Sequence, residues 1–134
     1  MALVVPSTIP EEVEEIGRRV IGCAITVHRV LGPGFREPIY HRALCLELDE
    51  QGLTFESEKR ILVPYKRWEI DGHRLDLIIG GCVIGELKAV PRLGNVHRMQ
   101  VLSYLKATRL RLGYVLNFNA EVMKHGIKRV VWEP

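Results

Sequence analysis

Residues 74–90, RLDLIIGGCVIGELKAV, constrain the fold more than any other stretch of this chain. Two short runs rich in Leu, Ile and Val are divided by Gly80-Gly81. They are too short for helices and read as a hairpin buried in a sheet. Asp76, Glu86 and Lys88 interrupt them. A charged side chain taken out of water costs several kcal/mol unless something pairs with it. The three therefore either line a wet sheet face or converge on a site.

Alternation along a strand sets Glu86 and Lys88 on one face and Leu87 on the other. Whether Asp76 joins them depends on the loop. With Gly80-Gly81 alone as the turn, Asp76 falls opposite Gly85 and points away from Glu86. An odd-numbered loop, or a one-residue bulge, sets it directly across from Glu86. Gly81 can supply the positive φ of such a turn. An acidic site here thus predicts a loop of odd length.

Two carboxylates on one face repel, and a hard divalent cation resolves the repulsion. Magnesium takes one or two carboxylates and keeps several waters. Such an ion polarises a phosphoryl oxygen and lowers the pKa of a bound water. A lysine two residues along stabilises the developing charge or helps deprotonate the water. The alternative is a solvated sheet face held by surface ion pairs. The spacing D-x9-E-x-K by itself fits both.

The surroundings read as α/β. Thr8 and Glu11 have capping-box spacing with Pro10 in the first turn. Val13, Ile16, Val20, Ala24, Val27 and Leu31 then form the stripe of a helix that ends at LGPG, a helix stop and restart. A second helix follows through EPIYHRALCLELDEQG, with Ile39, Ala43, Leu44 and Leu48 inward and Gly52 as its stop. LTFESEKRILVPYK and RWEIDGHRLDLIIG are β-rich, broken by Pro64 and the turn IDG. CVIGELKAV is a strand and RLGNVHRMQVLSYLKAT a helix with Val101, Leu102 and Leu105 inward. LRLGYVLNF and IKRVVWEP are the last strands. The order α-α-β-β-β-α-β-β predicts one mixed central β-sheet flanked by helices, a single domain over 1–134 with residues 1–9 as an extended N-terminal segment.

With 134 residues, 47% hydrophobic and 26% charged, the chain has material for one globular core and not two. The net charge of +3 permits an anionic partner without requiring one. Three scattered cysteines without a CxxC pair argue against a disulfide framework or a zinc site and suit a reducing cytoplasm. The opening MALVVPSTIP lacks a signal-peptide pattern, and no apolar run is long enough for a bilayer, so no membrane is expected.

Three motifs carry a resemblance to a known family. DLIIGGCVIGELK resembles the Asp…Glu-x-Lys core of the PD-(D/E)XK nuclease superfamily, although Arg74-Leu75 stands where its naming proline would be. GPGFREPIY is similar to the signature of the bacterial and archaeal GxxExxY proteins, matching at Gly34, Glu37 and Tyr40. QVLSY, with Gln100 and Tyr104, resembles the QxxxY motif of RecB-type exonucleases. The resemblance implies a restriction-endonuclease-like fold. Asp76 and Glu86 would bind Mg2+ or Mn2+ beside the Leu87 carbonyl, Lys88 would be the catalytic lysine, and Glu37 would complete the metal site. Pro38 disfavours helical geometry at Glu37 and moves it to the helix start. Gln100 and Tyr104, one turn apart, would position substrate or brace the acids, with His97 on the same face.

Arg36, Arg92 and Arg98 flank these motifs and are candidates for phosphate contacts. Tyr40 reads as a core aromatic with its hydroxyl satisfied. His28, His41, His73 and His125 are scattered and read as non-catalytic. The activity implied is a divalent-metal-dependent nuclease acting on nucleic acid, DNA foremost. Two sites on one duplex would suggest a homodimer, with the 13, 20, 27 repeat of the first helix as interface unless that stripe packs on the sheet. The rival readings are a non-cleaving nucleic-acid-binding or assembly subunit and an enzyme acting on a nucleotide.

Overall fold

The computed structural model describes residues 7–134, so the first six residues of the expected N-terminal extension lie outside the described residues. Three helices are present: α1 Glu11–Leu31, α2 Glu37–Glu50 and α3 Asn95–Thr108. The strands are β1 Phe55–Tyr65, β2 Trp68–Ile79, β3 Val83–Lys88, β4 Leu112–Asn117 and β5 Ile127–Val131, the last preceded by a 3-10 turn at Met123–Gly126. The strands stand in sheet order β1-β2-β3-β4-β5, and only the β3–β4 pair is parallel. That parallel pair needs a crossover, which α3 provides. The result is the mixed sheet flanked by helices that the element order predicts, arranged as the restriction-endonuclease-like α/β fold that the resemblance implies.

Alternate residues of the central strands enter two cores. Leu77, Ile79, Val83, Leu87, Leu112, Tyr114 and Leu116 pack with α1 and α2. Ile78, Ile84, Val115 and Val130 pack with Val101, Tyr104 and Leu105 of α3 on the other face. β4 is buried at every position because helices cover both of its faces. Val20, Ala24 and Val27 of the α1 stripe are fully or almost fully buried against the sheet and α2. Val20 and Val27 of the 13, 20, 27 repeat are thus taken up inside the chain, and Val13 is partly buried against the same core, so the stripe packs on the sheet.

Several local expectations are corrected. Thr8 does not cap α1; Pro10 is the capping residue, its carbonyl accepting from Val13 and Glu14, and the Thr8 hydroxyl bonds Glu133. Ile39 is half exposed, and Tyr40 and Cys45 are buried with Leu44 and Leu48. The phase of α2 is set by Tyr40, which the apolar count alone underweights. Asp71-Gly72 is no turn. The register slips from Ile61↔His73 to Val63↔Ile70, so one extra residue of β2 bulges there. The true turn is Lys66-Arg67, between the paired Tyr65 and Trp68, and Pro64 lies inside the edge strand β1 opposite Glu69. The thiols of Cys23, Cys45 and Cys82 are free. No helix among the described residues is long and apolar enough to cross a membrane.

Candidate active site

The β2–β3 loop consists of Gly80, Gly81 and Cys82, because Ile79 pairs with Val83. Both glycines take left-handed φ, 61° and 70°, which a side chain would disfavour. The odd count puts Asp76 across from Glu86. Backbone pairing of β2 with β3 runs only from Ile79↔Val83 to Leu77↔Gly85. At the next position side chains replace it. The Asp76 carboxylate accepts the Leu87 N–H at 2.8 Å, and the Glu86 carboxylate faces the Asp76 N–H at 3.4 Å. On the other flank of β2, Glu58 has φ 55° and breaks the pairing of β1 opposite Asp76. Leu75 accordingly packs with α3 while Leu77 packs with α1 and α2, so the side-chain alternation of β2 changes phase at the acid.

Glu86 is buried, at 5% exposure, with Lys88 Nζ 3.7 Å from its carboxylate. Burial first, then the charge of Asp76, pushes the Glu86 carboxyl up to about 8, against the pull of Lys88. A protonated Glu86 donates to the Asp76 carboxylate. Burial and the Asp76 charge also raise Glu37 above the usual carboxylate range. This is a concentration of negative charge in a place that disfavours it, with one lysine inside it.

Helix α2 brings the third carboxylate. Glu37 is its first residue, after extended Arg36 and before Pro38, so it does stand at the helix start. It nevertheless reaches the acids. Glu37, His41 and Asp76 each offer a ligand atom, all within 4.8 Å of one another. These three line an open cleft of about 640 Å³ together with Cys45, Phe55, Ser57 and Glu58.

The entry of α2 is held by Tyr40. Its hydroxyl donates to the Gly32 carbonyl at 2.6 Å and accepts from the Phe35 N–H at 3.1 Å, while its ring stacks on Phe118 at 4.8 Å. The core reading of Tyr40 holds, and the motif now has a physical reason. Tyr40 fastens the loop that aims Glu37. Tyr40→Phe should lower unfolding free energy in denaturant titrations by about 1–3 kcal/mol, since two loop groups lose their partner.

A family model described as the PD-(D/E)XK nuclease superfamily matches residues 14–130. The chain belongs to that superfamily. No curated protein and no solved structure gave a significant match.

Within the PD-(D/E)XK frame the sequence-derived residues fall into two groups. Asp76, Glu86, Lys88 and Glu37 meet at the cleft and the side-chain rung behind it. Tyr104 of α3 is buried close enough to Glu86 and Asp76 that their charges add to burial in raising its hydroxyl, while a hydrogen bond from Gln100 opposes the shift. His97 and Arg98 lie apart, lining a separate hollow with Asn95 and Lys128. The His97 Nδ1 accepts the Gly94 N–H at 2.9 Å, an N-terminal cap of α3. Arg36 is exposed at the start of α2, and Arg92 is exposed in the loop after β3.

Three further residues belong to the site. His41, which the sequence leaves outside the site, stands with Glu37 and Asp76 in a candidate ligand cluster, with Nδ1 3.8 Å from Glu58 and Nε2 2.7 Å from Ser57. The usable signal was its spacing of four from Glu37, which sets both on one helix face. Glu58 had no such signal, because left-handed φ is rare outside glycine. Asn117, buried at the end of β4 beside Lys88, clamps Val90 through both amide atoms at 3.0 Å and so fixes the chain leaving β3.

Proposed function

We propose that the chain is a divalent-metal-dependent nuclease that hydrolyses phosphodiester bonds of nucleic acid, with DNA as the substrate and Mg2+ or Mn2+ as the ion. The observation that carries the reading is the position of Asp76, which adjoins Glu86 and Lys88 on β3 and clusters with Glu37 and His41 of α2, while burial and the Asp76 charge raise the carboxyls of Glu86 and Glu37. The donor set is oxygen-rich with one imidazole. The 4.8 Å span of Glu37, His41 and Asp76 suits a six-coordinate ion after a small contraction, since Mg–O distances are about 2.0–2.1 Å. Asp76 would be the common ligand, with Glu37, Glu86 and the Leu87 carbonyl completing the set and His41 beside them. GxxExxY membership, carried by Gly34, Glu37 and Tyr40, is part of the proposal.

A bound cation supplies charge to polarise the phosphoryl group and acidify a water. The protein does the rest. Lys88 Nζ stabilises charge developing on the phosphate or takes the proton of the attacking water. Glu86 holds that amine in place, and Tyr104 with Gln100 closes the site against α3. A homodimer acting on a duplex would need a surface other than the buried α1 stripe. Retention of Asp76, Glu86 and Lys88 together favours catalysis over a silent binding subunit.

The test is incubation of the purified protein with linear, circular, single-stranded and branched DNA and with RNA, in Mg2+, Mn2+ or EDTA. Hydrolysis should require the ion and fall by about 10²–10⁴-fold in Asp76→Ala and Lys88→Ala. Binding without turnover in both ions would favour the silent subunit. Turnover of mononucleotides alone would favour the small-molecule reading.

A further inference from the structure

β1 and β2 outrun the rest of the sheet. β2 pairs with β3 only at Leu77, Ile78 and Ile79, whereas its first half, from Trp68 to Leu75, pairs among the described residues with β1 alone. Trp68 is eight residues from Asp76, about 26 Å of strand. The outer part of this arm carries an apolar face that no other described element covers. Val63 pairs with Ile70 and Tyr65 with Trp68, on the face that Ile61 turns toward α3. Tyr65, Trp68 and Ile70 are 53%, 49% and 53% exposed. Nearer the site on the same face, the His73 ring packs 4.5 Å from the ring of Tyr104.

The arm is also where the charge lies. Residues 59–74 hold five Lys and Arg against two acids, a surplus of three, equal to that of the whole chain with 19 against 16. The rest of the protein is therefore balanced. At the tip the Arg67 guanidinium sits 3.7 Å over the Trp68 ring and the Lys66 ammonium 5.5 Å from the centre of Tyr65. The two rings are nearly parallel, 19° apart. Lys66 holds φ 53°, a conformation glycine would adopt more easily, so a cation occupies a position local geometry would give to another residue.

We propose that this arm binds a single-stranded segment of nucleic acid. Tyr65 and Trp68 stack on unpaired bases, and Lys66 and Arg67 meet the phosphates, while the strand continues toward the acids. The proposal deepens the nuclease reading and rests on it for the link to cleavage. Aromatic faces joined to cations suit single strands, whose bases expose their π-faces; in a duplex those faces are hidden. A second copy of the chain fits less well, because two such tips would bring like charges together.

Trp68 and Trp132 are the two tryptophans, so Trp132→Phe leaves Trp68 as the sole reporter. In EDTA, single-stranded oligothymidylate should quench its fluorescence saturably, and a blunt duplex of equal length should quench it at least tenfold less effectively. Trp68→Ala and Tyr65→Ala should each weaken single-strand binding, read by anisotropy of a labelled oligonucleotide, by about tenfold. Quenching with no hydrolysis under any ion would keep the arm and overturn the nuclease reading. Hydrolysis with an unaltered KM for single strands in Trp68→Ala, and no quenching, would overturn the arm. So would a dimer in sedimentation that Trp68→Ala dissociates, with no quenching; it would assign the face to a second copy.

Discussion

Glu86→Gln should make the metal-free protein more stable above pH 8 and, under the proposed nuclease function, remove cation-dependent hydrolysis. In the folded chain Glu86 holds its proton up to about pH 8, whereas in the unfolded chain it releases it near 4.5. Between those values the folded state binds more protons, so stability falls as pH rises and the full loss is reached above pH 8. The glutamine amide can donate to Asp76 as the protonated acid does, yet it never ionises. The variant should match the parent near pH 5 and exceed it at pH 9 by a few kcal/mol, on the order of what a shift of this size represents. Thermal melts in EDTA from pH 5 to 9 measure the difference. Added Mg2+ should raise the melting temperature of the parent more than that of the variant, because a carboxylate that repels its neighbours becomes a ligand.

The second large effect concerns a residue with no chemistry. A Cβ at Gly126 would stand 2.3 Å from the carbonyl oxygen of Asn117 and 3.0 Å from Ala120 Cβ. The nearest obstacle is backbone, which cannot swing aside as a flexible side chain does. Gly126→Ala should therefore cost about 3 kcal/mol or more, roughly 10 °C in melting temperature for a chain of this size. Asn117 also pairs with Lys88 across the parallel strands and clamps Val90. The hydrolysis proposed for the site, measured well below the new melting point, should then fall as well, by displacement of the lysine. Calorimetry and a rate assay at low temperature separate the two losses.

The acid pair was legible in the sequence because strand parity is a counting argument, and it turned on the loop of Gly80, Gly81 and Cys82. The element order was legible because long apolar stripes such as that of α1 outweigh local ambiguity. Other features depended on tertiary context. Asp71-Gly72 has turn chemistry, but β1 continues past it and converts it into a bulge, while Lys66-Arg67 turns without any glycine. His41 was passed over as an isolated histidine and acquires its place only when α2 lies across β2. The phase break at Asp76 has no signature in the chain, since it arises from carboxylates that replace a backbone rung. Hydrophobicity alone points Ile39 inward, and Tyr40 holds that place through its bonds to Gly32 and Phe35.

The three-residue loop also limits how this hairpin can change over time. A one-residue slip of the β2–β3 register would swing Glu86 to the α1 side and thrust Leu87 among the acids. Descendants of this chain can vary the length of the connection only while Ile79 keeps facing Val83. At the present length Gly80 and Gly81, at φ 61° and 70°, resist replacement by residues with side chains. A persistent glycine pair beside the acids is thus the mark the site would leave on its lineage.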